Sequence, residues 1–153
     1  MKIVERPVLS LVGVSTRTNN TNEMDVTTAK ILPLWRHFYQ DIYPEQLSGD
    51  VVYGVYSNYE SDASGEFDVT VAVKAQEDEN VQAGSMFDKI ELAPGRYMVF
   101  SGQTGAGNPV FHLWQQVWQH FEQTGCPHQR CWITDYEIYY RDGKIELLIG
   151  IVN

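Results

Sequence analysis

Apolar and polar residues alternate along several stretches of the chain, and this period of two predicts β-strands. The clearest alternation runs from Phe67 to Ala75, where apolar side chains fall on one face and polar side chains on the other. Further strands are predicted for Ile3 to Thr16, Val51 to Tyr59, Phe87 to Leu92 with Arg96 to Ser101, Thr134 to Tyr140, and Ile145 to Ile151. We expect the first of these at a sheet edge, because Pro7 lacks a backbone N–H, and the run around Pro94 to be bent or interrupted.

Two other stretches repeat their apolar residues at helical spacing. The first, Ala29 to Ile42, predicts an amphipathic helix, in which Pro33 is tolerated only within the first turn. The second starts at Pro109, with Asn108 as its cap. Polar and glycine-rich stretches predict a loop at Asn19 to Asp25, a link at Gln76 to Gly84 and a flexible loop at Gly102 to Gly107.

The two helices share one pattern of apolar positions. Positions 31, 32, 34, 35, 38, 39 and 42 become 110, 111, 113, 114, 117, 118 and 121 when 79 is added, and every one is apolar. Leu34-Trp35 then matches Leu113-Trp114, and Tyr59-Glu60 matches Tyr136-Glu137 further along. We predict one α+β domain over residues 1–153, built of two strand-helix-strand-strand repeats at about 1–76 and about 85–153. A pseudo-twofold axis between the repeats would give an antiparallel sheet, two main helices and a ligand cleft on the axis.

The composition narrows the classes of function. The chain has 153 residues, of which 43% are hydrophobic, and 20 acidic against 11 basic residues give a net charge of −9. That field repels nucleic acid and attracts cations, so we expect no direct nucleic-acid binding. The sequence contains neither a leader segment nor the roughly 18 consecutive apolar residues of a membrane span, so we expect a cytoplasmic protein and no membrane partner.

The strand Thr134 to Tyr140 carries two acids among large side chains. Asp135, Glu137 and Tyr139 share one of its faces. A buried acid costs several kcal/mol unless it is hydrogen-bonded or paired, so Glu137 is bonded to neighbouring tyrosines, paired with Arg96 or Arg141, or a site for a cationic guest. Its repeat counterpart, Glu60, precedes a polar turn and is expected to be a solvated loop acid.

Cysteine and histidine residues cluster near the end of the second helix. His120, Cys126, His128 and Cys131 are residue types that bind zinc, but they contain no paired Cys-x-x-Cys and match no established finger spacing. We therefore expect ordinary histidines and reduced cysteines, with no metal and no cofactor. Neither a Gly-x-Ser-x-Gly elbow nor a phosphate-binding loop is present in the sequence.

Four segments carry a family resemblance: Leu32 to Phe38, Val52 to Asp62, Pro94 to Tyr97, and Asp135 to Tyr139. With them the chain resembles the GyrI-like, AraC-type effector-binding family, and within it the stand-alone proteins encoded on integron gene cassettes. The family's regulator members carry a helix-turn-helix beside this domain. No residues of this chain are left for one, so direct control of transcription is not expected.

The resemblance implies a pocket between the repeats for small, flat or greasy molecules, often cations. A glutamate at the position of Glu137 would be the counter-charge, and aromatic side chains would form the walls. The aromatic candidates are Trp114, Phe111, Trp118, Tyr139, Tyr97, Trp35 and Tyr56, of which Trp35 and Trp114 also suit a hydrophobic core. We predict a non-catalytic module for lipophilic cationic small molecules, with a homodimer through an exposed strand edge left open.

Two alternatives use the same family background. A hydrolase would employ Glu137 as general base and Tyr97 or Tyr139 as proton donor. A protein-binding inhibitor of the gyrase-inhibitor type would act through its acidic surface instead of its cleft.

Overall fold

Eight antiparallel strands form one sheet in the computed structural model of the chain, which describes residues 2–45, 47, 49–75, 87–103 and 109–153. The strands are β1 (Lys2–Arg6), β2 (Leu9–Thr18), β3 (Val51–Ser57), β4 (Phe67–Lys74), β5 (Asp88–Leu92), β6 (Gly95–Gln103), β7 (Arg130–Tyr140) and β8 (Lys144–Ile151). The sheet curls into a half-barrel, and the α+β class and antiparallel sheet are as predicted.

The helices are α1 (Asn20–Glu23), α2 (Ile31–His37), which continues as a π-helical turn over Phe38–Ile42, and α3 (Pro109–Glu122). The predicted loop at Asn19 to Asp25 was wrong in part, because Asn19 accepts a hydrogen bond from the backbone N–H of Asn22 at 2.7 Å and so caps α1. The expected link at Gln76 to Gly84, the cap Asn108 and most of the loop at Gly102 to Gly107 lie outside the described residues. Within the described ranges, no helix has the length and apolar character needed to cross a membrane.

The order of the strands, β1-β6-β8-β7-β3-β4-β2-β5, shows how the two halves meet. One half is β1-β6-β8-β7 and the other is β3-β4-β2-β5, and they join edge to edge where β7 pairs with β3. The first strand of the chain does not stay with its own half. The chain breaks at Pro7, so β1 pairs with β6 of the second half, while β5 pairs with β2 of the first half. The run predicted as one interrupted strand around Pro94 is therefore two strands in different halves.

Three apolar clusters hold this sheet. On one face, α2 and its π-helical turn pack a cluster around Phe38, and α3 packs another through Leu113 and Val117. On the other face, a third cluster that includes Leu11 and Leu148 joins strands of both halves, and both residues are fully buried. Both helices therefore lie on the same side of the sheet, one over each half, and leave a gap above the β3–β7 junction.

Gly13 allows the backbones of β2 and β4 to approach each other closely. It pairs with Ala72 of β4, and a Cβ atom at Gly13 would lie 2.0 Å from the carbonyl oxygen of Val71. Backbone atoms cannot yield to that contact as a flexible side chain can. A larger residue at this position would force the two strands apart.

We expect Gly13→Ala to lower the free energy of unfolding by about 1–3 kcal/mol or more, because the added methyl overlaps backbone. The matched control is Gly102→Ala in β6, where the nearest neighbours of the new Cβ would be side-chain carbons of Leu113 at 3.5 Å, an ordinary contact. Urea unfolding of both variants measures the effect. Equal stability of the two variants would contradict the close approach at Gly13.

Candidate functional site

Glu137 lies in the middle of β7, buried and without a positively charged partner among the described residues. Its side chain is 2% exposed. One carboxylate oxygen accepts a hydrogen bond from the hydroxyl of Tyr139 at 2.6 Å. The other accepts two, from the hydroxyl of Tyr56 at 2.9 Å and from the indole N–H of Trp114 at 2.8 Å. Three neutral donors therefore stabilise the carboxylate, and its negative charge is left uncompensated.

These donors come from both halves of the fold. Tyr56 belongs to β3, Trp114 to α3 and Tyr139 to β7, so the hydrogen bonds to Glu137 cross the junction between the halves. In the pairing of β3 with β7, Gly54 is opposite Glu137. A Cβ atom at Gly54 would lie 2.8 Å from a carboxylate oxygen of Glu137 and 2.9 Å from the ring of Trp35. A glycine there provides the space that the carboxylate and the indole occupy.

Burial and hydrogen bonding act on Glu137 in opposite directions. Burial penalises the charged form and is the larger effect, so it raises the pKa of Glu137 above the usual value. The hydrogen bonds from Tyr139, Trp114 and Tyr56 favour the carboxylate and oppose part of that rise. Burial also raises the pKa of Tyr56 and of Tyr139 far above the usual range, with the charge of Glu137 adding to the effect.

A cleft of about 720 Å³ lies beside this network, between the two helices. Tyr56 and Trp114 form part of its wall, so Glu137 is separated from the cleft by the side chains that donate to it. Seven of the described lining residues are aromatic: Tyr56, Tyr59, Phe67, Phe111, Trp114, Trp118 and Trp132. The cleft is thus an apolar space with one concealed acid behind its wall.

The aromatic side chains of the wall touch one another in sequence and form a continuous belt. From the α3 side the contacts run from Phe111 to Trp118, Trp114, Tyr56, Phe67, Tyr59 and Trp132, with centroids 5.2–6.3 Å apart at each step. Three of the six neighbouring pairs are in the edge-to-face arrangement that aromatic quadrupoles favour, and the other three are tilted. All seven side chains of this aromatic belt line the cleft.

The other end of the belt contains a compensated ion pair. Arg130 donates to Asp135 at 2.7 Å, and Asp135, which is fully buried, also accepts from the hydroxyl of Tyr59 and from the backbone N–H of Gly150. The guanidinium of Arg130 stacks at 3.7 Å over the ring of Trp132. The charge of Arg130 is therefore neutralised at the cleft wall.

Two further acids line the cleft. Glu23 accepts hydrogen bonds from the backbone N–H groups of Lys30 and Ile31 and from the hydroxyl of Thr18, so it caps the start of α2. Glu122, at the end of α3, is exposed. With Arg130 neutralised by Asp135, the charges around the described part of the cleft are negative on balance.

The structure brings most of the sequence-predicted site residues together. Tyr56, Phe111, Trp114 and Trp118 line the cleft. Glu137, Tyr139 and Trp35 form a layer behind it, with the ring of Trp35 set edge-on against Tyr139 at 5.0 Å. Glu137 does not form the ion pair with Arg96 or Arg141 that the sequence left open. It is hydrogen-bonded to two tyrosines and an indole, and Arg141 pairs with Asp50.

Tyr97 and Glu60 lie elsewhere. Tyr97 is 2% exposed in the apolar cluster on the opposite face of the sheet, where its hydroxyl donates to the carbonyl of Ala93. Glu60 is exposed and does not line the cleft among the described residues. The wall consequently lacks Tyr97 and gains residues that the sequence pattern did not single out.

Trp132 is the clearest of these additions. The pairing of β7 with β8 shifts register between Arg130 and Asp135, and Trp132 within this irregular segment has a φ of 54°. A bulky residue with positive φ is strained, and such strain persists where packing fixes it. The bulge aims Trp132 into the cleft. The sequence signal that could have indicated Trp132 is its spacing from Arg130, because residues two apart lie on the same face of a strand.

A separate group of side chains meets beyond the end of α3. The nitrogen and sulfur atoms of His120, Cys126 and His128 lie within 4.8 Å of one another. Cys131 is not part of this group, since its sulfur lies beside Gly150 of β8. None of these residues lines the cleft in the described part of the chain.

A family model described as Cass2, integron-associated effector binding protein, matches residues 2–151. An integron cassette protein from the mobile metagenome of Vibrio cholerae is 34% identical, with a TM-score of 0.84 over 99% of this chain and 95% of that chain. A Staphylococcus aureus MU50 protein assigned to transcription regulation is 18% identical, with a TM-score of 0.73 over 99% of this chain and 97% of that chain. SAV2435, whose structure contains tetraphenylphosphonium, is 19% identical, with a TM-score of 0.69 over 99% of this chain and 93% of that chain. No curated protein matches.

The raised pKa of Glu137 predicts how stability depends on pH. The folded state favours the protonated carboxyl more than the unfolded state does. The contribution of Glu137 to the free energy of unfolding is therefore fully present below the unfolded pKa of about 4.3, and it is lost as the pH rises through the folded pKa. Glu137→Gln stays neutral at every pH. We therefore expect the unfolding free energy of the parent protein minus that of Glu137→Gln to fall as pH rises above about 4.

Urea unfolding at a series of pH values measures this difference. Glu122→Gln, which removes one exposed negative charge, controls for the change in net charge. A difference that rises with pH would show that the hydrogen bonds outweigh burial at Glu137.

Proposed function

This chain belongs to the family of integron-associated effector-binding proteins, and we propose that its cleft binds hydrophobic small molecules, chiefly lipophilic organic cations, without transforming them. The observation that carries the proposal is the buried, uncompensated carboxylate of Glu137 behind an aromatic wall. The size of the cleft, about 720 Å³, falls in the range that takes drug-sized ligands.

The aromatic belt supports a preference for cations. A cation over the face of a Trp or Tyr ring gains about 0.5–2 kcal/mol, depending on how far it is desolvated. Tyr56 and Trp114 both donate their polar hydrogen to Glu137, which moves electron density back into the rings. Their cleft-facing surfaces are therefore more negative than those of rings bonded to water. The charge of Glu137 would therefore act on the ligand in two ways, through space and by polarising these two side chains.

A relative of the same fold supports the ligand class. SAV2435 has a structure with bound tetraphenylphosphonium, a lipophilic cation with four aromatic rings. At 19% identity that likeness concerns the fold, and the case for this chain depends on its own wall and its own acid. Both are present at the junction of the two halves.

Binding without turnover agrees with the surroundings of Glu137. A hydrolase would need a proton donor beside this carboxylate. Tyr97 lies on the opposite face of the sheet, and the hydroxyl of Tyr139 already donates to Glu137. Since burial raises the pKa of Tyr139 far above the usual range, that phenol is a poor acid.

We expect Glu137→Gln to weaken the binding of tetraphenylphosphonium by at least about tenfold, equivalent to roughly 1.4 kcal/mol, since the amide keeps the shape but removes the charge. The affinity for neutral triphenylphosphine oxide should change by less than about twofold, because a compound without net charge is only weakly attracted by the charge of Glu137. Isothermal titration calorimetry with both compounds measures the two losses. Equal losses for the cation and the neutral compound would refute the role of Glu137 as charge partner.

Glu122→Gln is the matched control for this experiment. It removes a lining carboxylate that is exposed to water, where charges are strongly screened. We expect it to change the affinity for the cation much less than Glu137→Gln does.

Shortening an aromatic wall residue should have a different signature. Trp118 is 44% exposed on α3, so Trp118→Ala should leave the fold intact while removing apolar contact with the ligand. We expect both tetraphenylphosphonium and triphenylphosphine oxide to lose roughly fivefold in affinity, about 1 kcal/mol for some 40 Å² of lost contact. Leu32→Ala, an exposed apolar residue of α2 that does not line the described cleft, should leave both affinities unchanged. A loss confined to one compound would contradict this role.

A further inference from the structure

Three residues with metal-binding side chains converge just beyond the cleft. His120 lies in the last turn of α3, and Cys126 and His128 lie in the connection from α3 to β7. The Nε2 atom of His120 is 3.3 Å from the Nδ1 atom of His128. The sulfur of Cys126 completes a triangle in which all three atoms lie within 4.8 Å of one another.

The distance between the two nitrogens matches an edge of a metal-centred tetrahedron. Zinc binds imidazole nitrogen at about 2.0–2.1 Å and thiolate sulfur at about 2.3 Å. In a tetrahedral site those bond lengths place two nitrogens about 3.3 Å apart, and a nitrogen and a sulfur about 3.5 Å apart. The ring nitrogens of His120 and His128 already have the required separation, and the sulfur of Cys126, which lies within 4.8 Å of them, must approach by at most about 1.3 Å.

The surrounding fold holds the ring of His120 and the backbone at Cys126 and next to His128. The ring of His120 packs edge-on against Phe121 at 4.9 Å and against Phe100 of β6 at 6.3 Å. The backbone N–H of Cys126 donates to the carbonyl of Gln123 at 3.1 Å, which closes the turn after α3. The chain beyond His128 is held by the bond from the N–H of Val152 to the carbonyl of Gln129 at 2.8 Å. These contacts keep the three residues close together before any ion binds.

The three side chains are also accessible. Each is partly exposed, so an ion can enter from solvent without unfolding the loop. The thiol of Cys126 donates to the carbonyl of His128 at 3.4 Å, a weak bond that coordination would replace. On binding, a metal–sulfur bond forms, the S–H bond breaks, and the thiol proton passes to water.

We propose that His120, Cys126 and His128 form a site for one borderline-soft transition-metal ion, zinc foremost, with a fourth position open to water or to an external ligand. Two imidazoles and one thiolate suit zinc and copper(I), while magnesium and calcium require oxygen ligands. The proposal departs from the expectation drawn from sequence spacing, because that argument sought paired cysteines. In the structure Cys131 points to β8, and the third ligand comes from a helix.

Cobalt(II) titration of the full chain, treated with a chelator and kept under a non-thiol reductant, tests the site. We expect one cobalt per chain, with visible bands of tetrahedral intensity and a near-ultraviolet sulfur-to-cobalt charge-transfer band, both removed by added zinc. Cys126→Ser should abolish the charge-transfer band and weaken zinc binding by at least about tenfold, since replacement of even outer-shell partners costs that much. His128→Gln should weaken zinc binding by a similar factor.

Cys131→Ser is the matched control, because it removes the other partly exposed cysteine and leaves the three ligands in place. It should bind cobalt and zinc as the parent protein does. Any of three results would overturn the proposal: a charge-transfer band that survives in Cys126→Ser, a band that is lost in Cys131→Ser, or no binding at micromolar zinc. The group would then be a hydrogen bond between two histidines beside a free cysteine. Circular dichroism of each variant confirms folding, and unchanged binding of tetraphenylphosphonium in Cys126→Ser would separate this site from the cleft.

Discussion

The structure depends on a buried carboxylate that meets no countercharge in the part of the chain that the structure describes. Removing Glu137 from water costs several kcal/mol, and the donors to it that the described residues provide are all neutral. Those donors must come from β3, α3 and β7 at once, so both halves of the fold have to meet around one side chain. Gly54 supplies the space opposite it. The requirement to satisfy this acid explains why the junction is polar at its centre while the clusters under the two helices are apolar.

Asp135 and Glu137 show how one strand face can hold two acids with different consequences. Both are buried, at 0% and 2% exposed, and they are two residues apart. Asp135 accepts hydrogen bonds from the guanidinium of Arg130, the hydroxyl of Tyr59 and the backbone N–H of Gly150, so its charge is balanced within the protein. Glu137 receives no cationic group among the described residues. The first acid therefore stabilises the bulge that presents Trp132, and the second leaves a negative potential behind the cleft wall.

Much of this arrangement could be predicted from sequence, because local periodicity reports which face of an element is buried. The stripe on Ala29 to Ile42 and the alternation in Thr134 to Tyr140 identify the two helix-covered halves and the acid face of β7. The exchange of β1 and β5 between halves could not be predicted, since strand pairing over long separations leaves no local pattern. The direction of Trp132 depends on a bulge, and the face of Tyr97 depends on the phase of β6. The group of His120, Cys126 and His128 appears only when a helix end and a loop are placed in space.

An acid behind a wall can select for charge even though it does not touch the ligand. At an effective dielectric constant of about 20 and a separation on the order of 7 Å, two unit charges interact by roughly 2 kcal/mol. Apolar contact contributes more in total, at about 25 cal/mol for each Å² buried, but it acts equally on charged and neutral guests. Affinity and charge selectivity for the proposed ligands would therefore have different origins. In the function that we propose, the aromatic belt would set how tightly a guest binds and Glu137 would set which charge is preferred, so that the wall would accept varied shapes and still prefer cations.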